Sequence, residues 1–466
     1  MTRSRLILVL SAAAALVAGA VLRLWFIAHA GSIAGDSLLY GDIAKSWMTR
    51  GVYGFAASGE PTLIRLPGYP LFLAACFRVF GMEHYTAVMY VQCAVDLATC
   101  LLVAALAGRL FGKRAGLAAL WLAALCPFTA NYVAAPLTEA PTLATIALAF
   151  YGMECWRAAG AGWNRWLWVT AVALSYSLLL RPEQGLLAAA VVPAMLWTAW
   201  RAGGGADMRR ALPVIAASIC IVLPLVPWTA RNWHTFHVFE PLAPRSAADP
   251  GEPVPNGFNR WYRTWAIDFA STDAVYWNYN AAEIAIGDLP TRAFDTDEQY
   301  ARTEALLTEY NETCDAKPEY DTQFASLARE RIEDDPIRYY VALPVARVVN
   351  MVLRPRTELL PVALDWWKWS RHPGESAFSL AFAGLNFAYL VIGALGLWRW
   401  RQRRWDGNAP LAWAMMGYVL LRLALLLTMD NSEPRYTLEF FPCLIVWAGA
   451  MFLPSSEPAQ SEVVLE

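Results

Sequence analysis

Charged residues are scarce in this sequence. They make up 16 % of the 466 residues, whereas a typical soluble domain carries roughly 25 %. Hydrophobic residues make up 57 %, and they are grouped in runs of about 20 residues, the length that a helix needs to cross a bilayer. The formal net charge of −2 indicates neither a basic nucleic-acid patch nor an acidic tail. The composition therefore predicts an integral membrane protein.

Cysteine is sparse where disulfides would form, and several common catalytic motifs are missing. Of the eight cysteines, only Cys314 lies in the long polar part of the chain, which excludes a disulfide framework. The sequence has no P-loop, no G-x-G-x-x-G after a strand, no G-x-S-x-G and no H-E-x-x-H. Chemistry that depends on these nucleotide, serine-hydrolase or zinc motifs is therefore not indicated.

The apolar runs predict about ten membrane-spanning helices in an all-α polytopic protein. The first run, 6–28, is longer than the apolar core of a usual signal peptide, so we interpret it as an uncleaved helix. The predicted spans are 6–28, 85–108, 115–133, 140–156, 166–180, 184–200, 211–229, 376–398, 410–429 and 437–453.

The distribution of basic residues predicts the orientation of these spans. Arginine and lysine concentrate in every second short loop, for example around Arg109 and Arg399, and are nearly absent from the others. Basic loops stay on the cytoplasmic side. The pattern predicts a multi-pass protein of the inner or plasma membrane, with a cytoplasmic N-terminus and a polar side that faces the periplasm or cell exterior.

Two apolar segments do not fit as simple spans. Residues 67–81 are too short, and 336–353 contain two arginines, so both are predicted to be interfacial or re-entrant helices on the outer side. If 336–353 does cross, 357–372 must cross back, and the count becomes twelve.

The same pattern divides the chain into three parts. Residues 1–230 form a transmembrane catalytic module that includes the first outer loop, 29–84. Residues 231–375 form a mostly helical or mixed periplasmic region with an interfacial helix, and 376–466 contain the last transmembrane helices.

Polar residues gather at the outer ends of these predicted helices. Asp36 and Tyr40 are four residues apart, so on a helix they share a face. Arg65 precedes a Pro-Gly-Tyr turn that contains Tyr69, and a guanidinium there could hold a lipid phosphate. Purely structural roles stay open for both residues. Asp36 could cap the N-terminus of a helix, and the Arg65 side chain could reach towards lipid headgroups.

The remaining outer loops supply further charges. Glu139 stands in a short hairpin, where a purely structural role would be a favourable interaction with a helix dipole. Arg181 and Glu183 stand in the next hairpin, where the structural alternative is an ion pair between the two. Arg231 follows the seventh span, and the last outer loop contains a group of Glu433, Arg435 and Tyr436. Carboxylates that accept a proton and cations that stabilise a phosphate leaving group suit chemistry on a lipid phosphate.

The order of these short motifs resembles the GT-C-type membrane glycosyltransferases. Within them it resembles bacterial relatives of dolichyl-phosphate-mannose protein mannosyltransferase and of the aminoarabinose transferase that modifies lipid A. The motifs are, in chain order, GDSLLY, RLPGYPLFL, PLTEAP, LLLRPEQG, RNW and EPRY. The oligosaccharyltransferase branch carries a Trp-Trp-Asp signature in its soluble domain. This sequence has Asp365-Trp366-Trp367-Lys368 instead, which disfavours that branch.

The resemblance implies an inverting transferase that moves one sugar from a polyprenyl-phosphate donor to a hydroxyl of a lipid, glycan or protein. Its first-loop Asp corresponds to Asp36, the expected base, and Glu139 to an acidic cavity position, so both are predicted to be catalytic. The predicted donor-phosphate or lipid ligands are Arg65, Arg435, Arg231 and Arg181. The predicted cavity-lining residues are Tyr40, Tyr69, Glu183 and Tyr436.

Two other classes of function stay open at this stage. One is a transporter or flippase that binds a lipid-linked sugar without reacting, and the other is an enzyme like an O-antigen polymerase or ligase. The polar residues lie at helix ends rather than at the membrane midplane, which disfavours a transporter. No cofactor or metal ligand is firmly predicted, although a divalent ion held by carboxylates of the first outer loop stays open. No nucleic-acid partner is expected.

Overall fold

The computed structural model describes residues 3–202 and 208–453. These residues form helices and turns, with one isolated β-bridge between Gly54 and Pro61 and no named strand among them. The predicted all-α class is therefore confirmed, and the region inserted between the two sets of spans is helical.

The N-terminal part supplies the first seven predicted spans and the first long loop. Its helices are α1 Arg3–His29, α2 Asp36–Arg50, α3 Gly68–Phe80, α4 Tyr85–Phe111, α5 Lys113–Ala124, α6 Pro127–Asn131, α7 Glu139–Ala158, α8 Arg165–Leu180, α9 Gly185–Ala202, α10 Leu212–Val222 and α11 Leu225–Phe236. Helix α3 lies within the predicted interfacial segment 67–81. The predicted three-part division of the chain stays a prediction, and α11 runs across its first boundary.

The inserted region continues with α12 Asn256–Arg263, α13 Phe269–Ser271, α14 Asp297–Asn311, α15 Pro318–Asp334 and α16 Leu343–Leu353. Its buried side chains form a separate, largely aromatic core in which Phe258 stacks on Tyr279 at a ring distance of 3.8 Å. The segment 357–372 forms turns rather than a helix. Since only helices and closed barrels satisfy their backbone groups in lipid, the alternative with twelve crossings lacks its second helix.

The chain ends with α17 Pro373–Gln402, α18 Ala409–Leu426 and α19 Phe441–Gly449. All ten predicted spans coincide with helices. Among the described residues, six helices are long and apolar enough to cross a membrane by themselves, or seven if the bent pair that begins with α5 counts as one. The protein is a multi-pass membrane protein, and the number of crossings stays a prediction.

The third predicted span is broken, and an arginine from α1 supports the break. A bend of 45° separates α5 from the helical turn that starts at Pro127. The fully buried Arg23 donates from Nη1 to the carbonyl of Ala124 at 2.7 Å and from Nε to Asp96 Oδ2 on α4 at 2.7 Å. Because lipid offers no water to a freed carbonyl, the guanidinium replaces the missing helix partner.

Close contacts hold the first loop against the helix bundle. An added Cβ at Gly68 would lie 2.5 Å from the backbone of Leu179, so only glycine lets α3 approach the end of α8 so closely. The Tyr176 hydroxyl also donates to the carbonyl of Gly68 at 3.1 Å. These contacts fix the turn that carries Arg65 beside the start of α2.

Candidate functional site

Asp36 lies between two arginines that come from opposite ends of the chain. Its Oδ1 accepts from Arg65 Nη2 at 2.9 Å, and its Oδ2 accepts from Arg435 Nη1 at 3.2 Å and Nη2 at 3.1 Å. Gly35, with φ of 52°, holds the N-cap position of α2, so the alternative that Asp36 is the cap is wrong. The carboxylate is engaged by cations instead.

The two arginines lower the pKa of Asp36. Burial acts against the charged carboxylate, but Arg435 and then Arg65 outweigh it and hold the pKa at about 2. The start of α2 also favours a negative charge there. Asp36 is therefore ionised at neutral pH, and both of its oxygens are occupied.

Arg435 is itself oriented by a buried carboxylate. Its Nε forms an ion pair with Glu433, which is 2 % exposed. Glu433 Oε1 also accepts from the Tyr436 hydroxyl at 2.8 Å and from the Asn431 side-chain amide at 2.7 Å. The last loop thus forms a small frame that fixes the guanidinium opposite Asp36.

A second charged cluster surrounds Arg181. Its Nε donates to Glu183 Oε1 at 2.8 Å and its Nη1 to Glu139 Oε1 at 3.3 Å, while Glu439 Oε1 lies 3.5 Å away. The local Arg181–Glu183 pair is therefore present, but it is one part of a larger network. Glu139 stands in the first turn of α7, so its carboxylate can also interact favourably with the helix dipole. Its Oε2 is buried and has no hydrogen-bond partner among the described residues.

The second cluster extends into the bundle through residues that the sequence analysis did not single out. Arg422 on α18 is 1 % exposed and lies 3.1 Å from Glu439 Oε1. Glu439 also accepts from the Tyr418 hydroxyl at 2.8 Å and from the Gln184 side chain. A signal for Arg422 was available, because a charge inside an apolar run is expensive and usually functional.

Aromatic rings lie beside both clusters. Arg181 and Arg435 approach the ring of Tyr436 at 5.8 and 5.6 Å, so this ring links the clusters. Arg65 lies 5.7 Å from the ring of Tyr40, and Tyr40 contacts Tyr69 edge to face at 5.0 Å. Burial is the main cause that raises the pKa of Tyr40 to about 12, so its hydroxyl stays a neutral donor.

Arg231 lies apart from these clusters. Its guanidinium donates to the carbonyls of Thr62 at 2.8 Å and Tyr53 at 2.6 Å, and it approaches the rings of Tyr53 and Trp228. These contacts tie the first loop to α11. That Arg231 binds the donor phosphate stays a prediction. The contacts in the structure hold the first loop in place.

The described residues contain no group of three His, Cys, Asp or Glu side chains that could hold a metal ion. The carboxylates named above lie next to arginines. A divalent ion in the first loop stays an untested alternative.

Comparison with known proteins gives a family match over part of the chain. Residues 61–228 match the family model "Dolichyl-phosphate-mannose-protein mannosyltransferase". A search of curated protein sequences found no match.

Solved structures that resemble this chain do so at low sequence identity and low TM-score. The archaeal oligosaccharyltransferase AglB from Archaeoglobus fulgidus, in complex with an inhibitory peptide and a dolichol-phosphate, is 12 % identical with a TM-score of 0.46. The match covers 94 % of the present chain, which spans only half of the AglB chain. ArnT from Cupriavidus metallidurans in the apo state is 15 % identical with a TM-score of 0.38, over 92 % of this chain and 78 % of that one.

ArnT bound to undecaprenyl phosphate is 14 % identical, with a TM-score of 0.34 over 96 % of this chain and 78 % of that one. The family model covers the turn with Arg65 and the hairpins with Glu139 and Arg181. The resemblance of this chain to the GT-C-type membrane glycosyltransferases is therefore confirmed.

Proposed function

We propose that this protein transfers a single sugar, with inversion, from a polyprenyl-phosphate donor to an acceptor hydroxyl on the outer side of the membrane. The observation that supports this most is the carboxylate of Asp36 between Arg65 and Arg435. The carboxylate lies within ion-pair distance of each of the two cations. A glycosyl transfer from a lipid phosphate needs a base for the acceptor hydroxyl and cations for the leaving phosphate.

The donor phosphate and Asp36 compete for the same two arginines. Guanidinium groups match phosphate oxygens in paired hydrogen bonds, so an incoming phosphate draws Arg65 and Arg435 away from the carboxylate. A pKa of about 2 makes Asp36 a weak base, since a general base works best with a pKa nearer the working pH. Binding of the donor would therefore free an oxygen of Asp36 and raise its pKa at the same time.

The reaction then follows from the positions of these groups. The acceptor hydroxyl gives its proton to Asp36, and its oxygen forms a bond to the anomeric carbon on the face opposite the phosphate. The bond between that carbon and the phosphate oxygen breaks, and polyprenyl phosphate leaves with the bonding electrons. Arg65 and Arg435 stabilise the charge that develops on the leaving phosphate.

Glu139 and the neighbouring aromatic rings offer a place for the sugar. Glu139 Oε2 is buried without a partner, and a sugar hydroxyl can supply the missing donor, because unpaired buried acceptors are costly. Tyr40 and Tyr69 add ring surface and hydroxyl groups near the first cluster. Glu139 and Arg181 therefore orient the donor sugar in this proposal.

An apolar groove suits the isoprenoid tail of the donor. It has a volume of about 290 Å³ and lies between α5 and α17, lined by Trp121, Leu122, Leu125, Leu385, Ala388, Tyr389, Ile392 and Ala448. Leu385 is followed by Asn386, which accepts from Arg356 at 3.2 Å, and Arg356 donates to the carbonyl of Pro434 at 2.7 Å. A short chain of contacts thus leads from the groove to Arg435.

The test uses purified protein in lipid nanodiscs with radiolabelled polyprenyl-phosphate sugars and a crude membrane acceptor. Wild type, Asp36→Asn and the control Glu83→Gln are compared by the sugar that leaves the lipid. Glu83 is an exposed carboxylate of the same loop, paired with Lys45 at 2.9 Å. We expect a loss of roughly 10²- to 10⁴-fold in Asp36→Asn, the typical contribution of a general base, and normal turnover in Glu83→Gln.

Two outcomes would contradict this proposal in different ways. Binding of the donor without turnover by wild type would indicate a binding or transport function. Equal turnover by wild type and Asp36→Asn would move the base elsewhere, and Glu139 would be tested next.

A further inference from the structure

A buried arginine of the inserted region has no carboxylate partner in the part of the chain that the structure describes. Arg347 on α16 is 1 % exposed and forms no ion pair within the described ranges. Its Nη1 donates to the carbonyls of Arg263 at 3.2 Å and Ala266 at 3.1 Å. Its Nε and Nη2 have no hydrogen-bond partner within residues 3–202 and 208–453. Buried polar groups normally have partners, so two unused donors on one buried cation call for a ligand.

Arg263, whose carbonyl Arg347 contacts, shares a single carboxylate with a further arginine. Arg263 Nη1 lies 3.3 Å from Asp430 Oδ1, and the buried Nε of Arg263 is again without a partner in the described chain. Arg245, which is 70 % exposed, lies 3.9 Å from the same oxygen of Asp430. Positive charge therefore exceeds negative charge in this group of Arg245, Arg263, Arg347 and Asp430, hereafter the Arg263 cluster.

The Arg263 cluster is close to the candidate site along the chain but is not part of it. Asp430 lies in the same loop as Glu433, which directly precedes the helical turn that carries Arg435. Within the described residues, no ion pair or hydrogen bond joins Arg263 or Arg347 to Asp36 or Arg65. An anion held here would thus lie beside the donor site without taking its arginines.

We propose that the Arg263 cluster binds an oxyanion, a phosphate or a carboxylate, that the acceptor carries. This inference rests on the proposed transferase function, because it assigns the acceptor side of the same site. Arg263 is 27 % exposed and offers the entry, while the unused Nε of Arg263 and the unused Nε and Nη2 of Arg347 supply the hydrogen bonds. Charged donors bind oxyanions more strongly than neutral ones do. The acceptor is accordingly an anionic molecule.

The experiment measures binding of radiolabelled inorganic phosphate to the full-length protein in phosphatidylcholine nanodiscs. Wild type is compared with Arg263→Gln, Arg347→Gln, Arg65→Gln and the control Arg260→Gln. Arg260 lies on the same helix as Arg263 and is exposed. We expect Arg263→Gln to weaken phosphate binding at the Arg263 cluster and Arg65→Gln to weaken it at the donor site. Each affinity should fall roughly tenfold. Arg260→Gln should bind as wild type does.

A second arm distinguishes a lipid headgroup from a free anion. Nanodiscs that contain phosphatidic acid should lose the phosphate class that depends on Arg263 if a lipid phosphate occupies the cluster, and should keep it if only soluble anions enter. Both results support an oxyanion site and differ in its source. Because Arg347→Gln removes a buried group and can impair folding, the half-buried Arg263→Gln decides the test.

The proposal is overturned if all bound phosphate depends on Arg65 and none on Arg263. Sugar release from the donor is measured on the same samples. Intact release without phosphate at the Arg263 cluster would refute this inference alone. Phosphate bound at the cluster without any release of sugar would refute the transferase function while leaving the anion site in place.

Discussion

The molecule contains two arginine–aspartate arrangements that use the same residue types and differ in their surroundings. Arg23 and Asp96 are 0 and 2 % exposed, and Arg23 also donates to the backbone carbonyls of Gly19 and Ala124. Asp36 is 28 % exposed and its partners Arg65 and Arg435 about 20 %. The first arrangement is saturated and closed to solvent, whereas the second is partly exposed, as the proposed exchange with a donor phosphate requires. Burial and saturation, rather than the residue types, separate a structural pair from an exchangeable one.

The largest expected effect comes from opening the closed pair. Arg23→Leu leaves Asp96 buried without a cation and the carbonyl of Ala124 without its donor. We expect a loss of about 3–5 kcal/mol in the free energy of unfolding, measured by thermal and denaturant unfolding in nanodiscs.

The double variant Arg23→Leu/Asp96→Leu is the control for that experiment. Replacing both members of a buried pair by apolar residues is often neutral, so most of the stability should return. If Arg23→Leu alone were as stable as wild type, the Arg23–Asp96 pair would not be a structural pair, and the contrast with Asp36 would fail.

The next effect concerns the frame around Arg435. Glu433→Gln keeps the shape of the side chain and an oxygen that accepts from Tyr436, but it removes the negative charge that orients Arg435. Loss of a contact that orients a metal ligand costs roughly 10- to 100-fold in activity, and we expect a similar loss for a contact that orients a phosphate-binding arginine. We expect this loss mainly in kcat at saturating donor, together with normal thermal stability.

Glu252→Gln is a suitable control for the Glu433 experiment, because Glu252 is exposed and outside the clusters. If Glu433→Gln changed stability and activity in parallel, Glu433 would act as a structural residue only.

The pH dependence of Asp36 distinguishes the exchangeable pair from the closed one. Its folded pKa of about 2 is below the ordinary 3.8, so its ion pairs stabilise the fold above pH 3.8, and this contribution of at most about 2 kcal/mol is lost as the pH falls towards 2. Asp36→Asn should remove that acid dependence of unfolding.

The same exchange makes a kinetic prediction. If donor phosphate draws the arginines away, the acid limb of kcat, which reports the bound enzyme, should lie at higher pH than the acid limb of kcat/KM. Identical acid limbs in both profiles would contradict the exchange.

The smallest expected effect lies in the apolar groove. Leu385 is 40 % exposed at the groove wall, so Leu385→Trp fills the groove with little disturbance of the bundle. We expect KM for long-chain donors to rise roughly fourfold for each methylene group that the ring displaces. Leu380 is exposed on the same helix outside the groove, so Leu380→Trp should leave KM unchanged. If Leu385→Trp and wild type had equal KM values, the isoprenoid tail would not bind in this groove.

The helices were largely predictable because a membrane imposes run length and charge asymmetry on the sequence. The break between α5 and α6 was not predicted, although Pro127 signals it, because the apolar run continues through the bend. The arrangement of α12 to α15 could not be derived, since their partners depend on aromatic packing over long sequence distances.

The residues of the candidate site were foreseen more completely than their pairing. Asp36, Arg65, Arg181 and Arg435 were identified by their position at the ends of spans. No local rule, however, pairs Asp36 with a residue 399 positions away. Glu439 and Arg422 were not predicted, because both lie inside predicted apolar spans, where the last spans meet the polar end.

The last loop, from Asp430 to Tyr436, contributes to all three charged clusters. Asp430 pairs with Arg263, Arg435 pairs with Asp36, and the ring of Tyr436 lies beside Arg181. One short segment therefore senses both substrates in the proposed scheme. Its consequence is thermodynamic coupling: the occupant of either place changes the affinity of the other, and by linkage it does so equally in both directions.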